Sequence, residues 1–135
     1  AREHAVPGTN REEREVIKGM HALFYTSDAE ATRAFIRDKL GLRWADAHDG
    51  WLIFEAPEAD LGCHPEMAED GSPAGTHAVS FYCDDIEASV AELRARGVEF
   101  LDEIEDLGYG LAIHFEMPGG VEVELYEPRY RLEFQ

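Results

Sequence analysis

Basic residues are scarce in this chain: 12 Lys and Arg stand against 29 Asp and Glu in 135 residues, a formal net charge of −17. Phosphate backbones and anionic membrane surfaces repel such a chain, so nucleic acid is excluded as a default partner. No apolar run approaches the roughly 20 residues that a membrane span needs, and no signal-peptide core is visible, so the expected setting is cytoplasmic. Only two cysteines occur, Cys63 and Cys83. They make no disulfide framework and are expected to be buried, reduced thiols. A hydrophobic content of 44% is ordinary, so a core of normal size is available.

The first eighteen residues stand apart. "AREHAVPGTN" lacks apolar periodicity and "REEREVIK" is charged, so residues 1–18 are expected to form an arm, with residues 131–135 as a short tail. From Gly19 the pattern becomes regular. "MHALFYT" is β-prone. Ser27 and Glu30 carry the spacing of a capping box, and a helix is expected from about Asp28 to Leu40, stopped by Gly41. "LRWADAH" and "WLIFEAP" flank Asp49-Gly50, a hairpin signal, and "ADLGCH" reads as a further strand. Residues 66–75, "EMAEDGSPAG", form a linker. The order then recurs: a strand "HAVSFYC", a helix capped by Asp84 and stopped by Gly97, and strands "VEFLDEI", "YGLAIHFEM" and "VEVELYE".

The recurrence keeps its spacing. His21 to His77, Asp28 to Asp84 and Gly41 to Gly97 are each 56 positions apart, whereas "DAEAT" and "DIEAS" are 57 apart. The chain is therefore read as an α+β domain over residues 19–130, built from two tandem βαβββ modules, 19–65 and 76–130. Neither module covers both faces of its own sheet, so each needs the other.

Strand alternation groups His21 with Leu23 and Tyr25, and His77 with Val79 and Phe81. In "VEVELYE" it separates Val121, Val123 and Leu125 from Glu122, Glu124 and Tyr126. If the apolar face lies under the helices, two imidazoles and a carboxylate share the other surface. That set suits a divalent metal. Taken singly, each His is an ordinary polar strand end and the Glu strand an ordinary solvated face. The repetition of His at matching places makes the case. Trp51, Phe54, Tyr109, His114 and Tyr126 are candidates for the wall of a pocket.

On "MHALFYTSDAEATRAFIRDKLGL", "HAVSFYCDDIEASVAELRARGVEF" and "MPGGVEVELYEP" the chain resembles the vicinal oxygen chelate superfamily of glyoxalases, bleomycin resistance proteins and extradiol dioxygenases. The resemblance implies two mixed sheets curved into one cup with a metal on its floor. Carried over, the ligands are His21, His77 and Glu124, with Glu122 ranked after Glu124, which would also be the catalytic carboxylate. A fourth ligand would come from "ADLGCHPE", as His64 or, second, Asp60. Met117 and Gly119 depart from the family's closing turn, where acids are common. The implied cofactor is a divalent ion (Zn, Fe, Mn, Ni or Co). The implied function is a lyase, isomerase or dioxygenase acting on a small oxygen-chelating substrate, in a homodimer. The alternative is a metal-free small-molecule binding protein of the bleomycin-resistance type, which the acidity of the chain favours. The scattered Arg33, Arg37 and Arg43 form no basic cluster for a carboxylate-bearing substrate.

Overall fold

Two helices share one apolar core on one face of a four-stranded sheet. A computed structural model describes residues 21–130 apart from Pro57, His64 and Thr76. The arm expected over residues 1–18 and the tail over 131–135 lie outside the described residues. Helix α1 (Ala29–Phe35) runs on as a π-helical turn (Ile36–Leu40), and α2 spans Ile86–Ala95. Strands β1 (Trp44–Asp46) and β2 (Leu52–Phe54) form an antiparallel hairpin. Strands β3 (Ser80–Tyr82), β4 (Glu105–Asp106), β5 (Gly110–Met117) and β6 (Val121–Pro128) form a mixed sheet in the order β3-β6-β5-β4, with β3 parallel to β6. That is the sheet expected of a βαβββ module, in which the chain passes from β3 through the helix to β4 at the far edge and returns by β5 to β6 beside β3.

The helix starts lie one residue later than the capping signals suggest. Asp28 caps α1 by accepting from the Ala31 N–H at 3.1 Å, and Asp85 caps α2 by accepting from the Ala88 N–H at 3.2 Å. An Asp side chain reaches the third amide onward in this geometry, so it takes the role given to Ser27 and Asp84. Gly41 and Gly97 end the helical segments at φ +76° and +93°, as expected.

The first module is sparser than its pattern implies. Residues 21–26 and the described part of "ADLGCH" carry no strand; in the second module "VEFLDEI" contributes an isolated bridge from Phe100 to Phe115, and the short β4 begins just after it. The two first-module segments find no ladder partner among the described residues. Cys63 is exposed and Cys83 half-buried, so the expectation of two buried thiols holds in part for Cys83 alone.

The core joins both modules. Ile36 from the first module is buried with Ile86, Val90, Ile113, Phe115, Met117, Val123 and Leu125 from the second. The ring of Phe35 stacks on Phe115 at 6.2 Å. Below them, the closing turn between β5 and β6 is tied to the start of α1. The hydroxyls of Thr26 and Thr32 lie 2.8 Å apart, the buried Thr32 Oγ1 lies 2.6 Å from the Pro118 carbonyl, and the Ser27 N–H donates to the Gly119 carbonyl. Gly119 has φ +91°, and a Cβ there would lie 1.7 Å from Thr26 Oγ1. An acid at this place would collide with the joint, which explains the departure at Gly119. At the far ends of the helical segments, Lys39 donates to the Gly97 carbonyl and Arg96 to the Lys39 carbonyl.

Deleting apolar volume in the first module should therefore destabilise the second. Ile36→Ala removes a buried side chain and is expected to cost about 2–4 kcal/mol in urea denaturation of the whole chain, in one cooperative transition. A loss below about 0.5 kcal/mol would show that the modules do not share this core.

Candidate functional site

The sheet has two chemically distinct faces, as the alternation of β6 predicts. Val121, Val123 and Leu125 are buried under the helices, while Glu122 is exposed and Glu124 and Tyr126 are half-buried on the opposite face. Residues directly opposite one another in a ladder share a face. The register therefore adds His114 (opposite Glu124) and Glu116 (opposite Glu122) from β5, and Ser80 and Tyr82 (opposite Glu124 and Tyr126) from β3.

Glu124 is the centre of this face. Ser80 Oγ donates to its Oε1 at 2.6 Å, and His114 Nε2 lies 3.7 Å from its Oε2. The imidazole is held from behind. Asp102 accepts from the His114 backbone N–H at 2.9 Å and lies 2.8 Å from its Nδ1. The imidazole thus stands between two carboxylates, Asp102 at Nδ1 and Glu124 on the Nε2 side. The Glu124 carboxylate keeps acceptor capacity beyond Ser80 for a group that donates hydrogen bonds, such as a hydroxyl or an ammonium. His114 and Glu124 side chains are 29% and 31% exposed, so a ligand reaches them without the core opening.

Aromatic groups surround this centre. Tyr126 donates to the Tyr130 hydroxyl at 3.2 Å, and its ring lies 6.1 Å from that of Tyr109. Burial, then the hydrogen bond to Tyr130, pushes the Tyr126 phenol well above its ordinary range, so it stays protonated at neutral pH. Tyr82 hydrogen-bonds to Glu58, which carries the first module over the rim of the face. Of the other wall candidates, Phe54 packs against the core and Trp51 lies in the β1–β2 turn, with the Arg33 guanidinium 4.5 Å from its ring centre.

The ligand set implied by the resemblance is placed less closely. His21 and His77 are exposed and lie outside any strand, and His64 falls outside the described residues. Asp60 is exposed in the segment after β2. Phe81, expected to share the cup face with His77, lies opposite Leu125 and packs against the helical core. Among the described residues no group of three or more His, Cys, Asp or Glu side chains is gathered to hold a metal ion. Among the described residues, the implied ligands are not brought together in an arrangement that fits the metal.

Sequence reasoning missed Ser80 and Asp102. Ser80 follows from the β3–β6 register, which strand order alone would supply. Asp102 sits in a bend beyond Phe100 and carries no local signal.

Burial is the largest single influence and raises the Asp102 carboxyl, but the His114 backbone N–H and imidazole together outweigh it and hold Asp102 below the usual carboxylate range. A depressed carboxyl contributes stability above its unfolded pKa and loses it as pH falls through the folded value. Stability should thus decline below about pH 4, and Asp102→Asn should flatten that decline in urea midpoints measured from pH 3 to 6. An unchanged slope would remove Asp102 from the acid response.

Known proteins bear on this geometry. The family model of the Glyoxalase/Bleomycin resistance protein/Dioxygenase superfamily matches residues 20–125. A manganese-dependent 2,3-dihydroxybiphenyl 1,2-dioxygenase of Geobacillus genomosp. 3 is 29% identical over 117 residues, covering 83% of this chain; the chain spans only 37% of that protein's length. A member of the same superfamily from Sphaerobacter thermophilus superposes with a TM-score of 0.58 at 28% identity, over 84% of this chain and 99% of its own. A glyoxalase/bleomycin resistance protein/dioxygenase from Nocardioides gives a TM-score of 0.52 at 26% identity, over 79% and 83% of the two chains. A family model spanning this much of the chain, with solved relatives of the same α+β architecture, places the protein in the glyoxalase/bleomycin resistance protein/dioxygenase superfamily.

Proposed function

We propose that this chain binds a small aromatic molecule bearing a hydroxyl or amine on the face of the second module's sheet that carries Glu124, without a bound metal. The observation that carries this reading is the engagement of Glu124. The carboxylate that the family would give to a metal accepts from Ser80 and stands beside an imidazole anchored by Asp102. Tyr82 and Tyr126 supply ring surface on the same face, and the −17 charge of the chain suits a neutral or cationic ligand. The metal-dependent reading, a lyase, isomerase or dioxygenase, has one specific observation behind it: the 29% identity to the manganese-dependent dioxygenase.

Thermal shifts separate the two. Catechol and benzylamine serve as neutral and cationic aromatic probes, each measured in EDTA and in Mn(II). A probe at about 100 times its Kd adds about 2.7 kcal/mol, which is on the order of 10 °C for a domain of this size. A rise in EDTA that Glu124→Gln abolishes supports metal-free binding. A rise confined to Mn(II) supports the enzyme.

The homodimer belongs to the same proposal. Leu23, Tyr25, Trp44, Trp51 and Ile53 are exposed on the first module, and a second copy would cover them. Light scattering at micromolar concentration should show a dimer that tightens with salt, because chains of this charge repel one another. A monomer at every salt concentration would overturn it.

A further inference from the structure

The two modules correspond at a spacing different from the one their histidines suggest. Phe24 and Phe81 are 57 positions apart, both pack against the core, and their rings meet edge to face at 6.3 Å. The capping residues Asp28 and Asp85 are also 57 apart, and each accepts from the amide three residues on. So are Tyr25 and Tyr82, Glu30 and Glu87, and Ala31 and Ala88. Counted this way, the counterpart of His21 is Ala78.

The equal spacing of 56 between the histidines, and again between the helix-stopping glycines, comes from two shifts that cancel. Asp28 to Gly41 is 13 positions, while Asp85 to Gly97 is 12. The first module absorbs its extra residue in the π-helical turn, where the Gly41 N–H donates to the Ile36 carbonyl five residues back at 3.0 Å. The second module carries its extra residue before the helix, between His77 and Asp85.

One residue matters because side chains alternate across a strand. His21 lies three positions before the core-facing Phe24 and His77 four before the core-facing Phe81, so strand alternation extended back from these rings puts the two histidines in opposite phases. Counting back from β3, the residue in phase with Ser80 and Tyr82, and hence with Glu124, is Ala78.

We propose that position 78, occupied by Ala, is the second module's counterpart of His21, so that its first strand offers no imidazole to the Glu124 face. A methyl group there leaves Glu124 to Ser80 and His114. This deepens the metal-free reading of the site, and its test is separable from that reading. Failure of the aromatic probes to bind leaves the metal result standing, and the reverse also holds.

The test is Co(II) binding, followed by calorimetry and by the visible absorption of the ion, on the full chain and on His77→Ala, Ala78→His and Ala78→Asp. His77→Ala should leave Co(II) affinity unchanged, whatever its level. Ala78→His should raise it at least about tenfold, since a direct ligand contributes no less than the outer partners that tune one. If Ala78→His melts below the wild type, the smaller Ala78→Asp carries the gain-of-affinity arm. Stoichiometric Co(II) binding that His77→Ala abolishes would overturn the inference. So would folded position-78 variants that gain no affinity.

Discussion

The first module's helix lies on the second module's sheet, and the rest of the molecule depends on that contact. Phe35 stacks on Phe115 and Ile36 is buried beside Ile86 and Val90, so the apolar face of β5 and β6 is closed by both halves of the chain. With one helix alone, a sheet of this size leaves apolar surface in water. The Thr26, Thr32 and Pro118 joint fixes where α1 begins against the closing turn, and Gly119 is the residue that lets the turn approach so closely. Covering one face of the sheet is also what reserves the other. Because Val123 and Leu125 point under the helices, Glu124 has to point away from them.

Much of this was legible in the chain. The Val-Glu-Val-Glu alternation of β6 assigns its faces without any structure, and the two helix-stopping glycines sit where their φ values require them. The polar centre was legible only in part. Glu124 follows from its strand, but its partners come from register. Ser80 is 44 positions away in sequence and meets it through a parallel pairing that no local signal encodes. Asp102 reaches His114 from a bend whose position depends on the Phe100–Phe115 bridge. The helix caps were off by one residue, because a Ser or Asp directly before the true cap has the same local chemistry.

Duplicated modules drift by insertion as well as by substitution, and the two kinds of change read differently. A substitution alters one side chain. An insertion in a strand moves every residue beyond it to the other face, whereas an insertion in a helix can be taken up by a π-helical turn that leaves both ends of the helix nearly in place. Here the helical insertion is the quiet one: α1 still stacks Phe35 on Phe115 and still ends at a left-handed Gly. The strand-side residue is the consequential one, because it sets which side chains of the second module share a face with Glu124.

The face that carries Glu124 also holds a local conflict. Glu116 and Glu122 stand directly opposite each other, both exposed, and neither forms an ion pair among the described residues. Like charges in a directly opposed pair destabilise a sheet by a few tenths of a kcal/mol or more. Glu124 adds a third carboxylate two residues along β6, and the one imidazole nearby, His114, also faces Asp102. Arg129, just beyond the end of β6, is paired with Asp106. A sequence selected for stability alone would place Lys or Thr at some of these positions. Local rules are broken most often where a surface is kept for a ligand. A cationic group such as an ammonium bound beside Glu124 would offset part of the repulsion among these carboxylates.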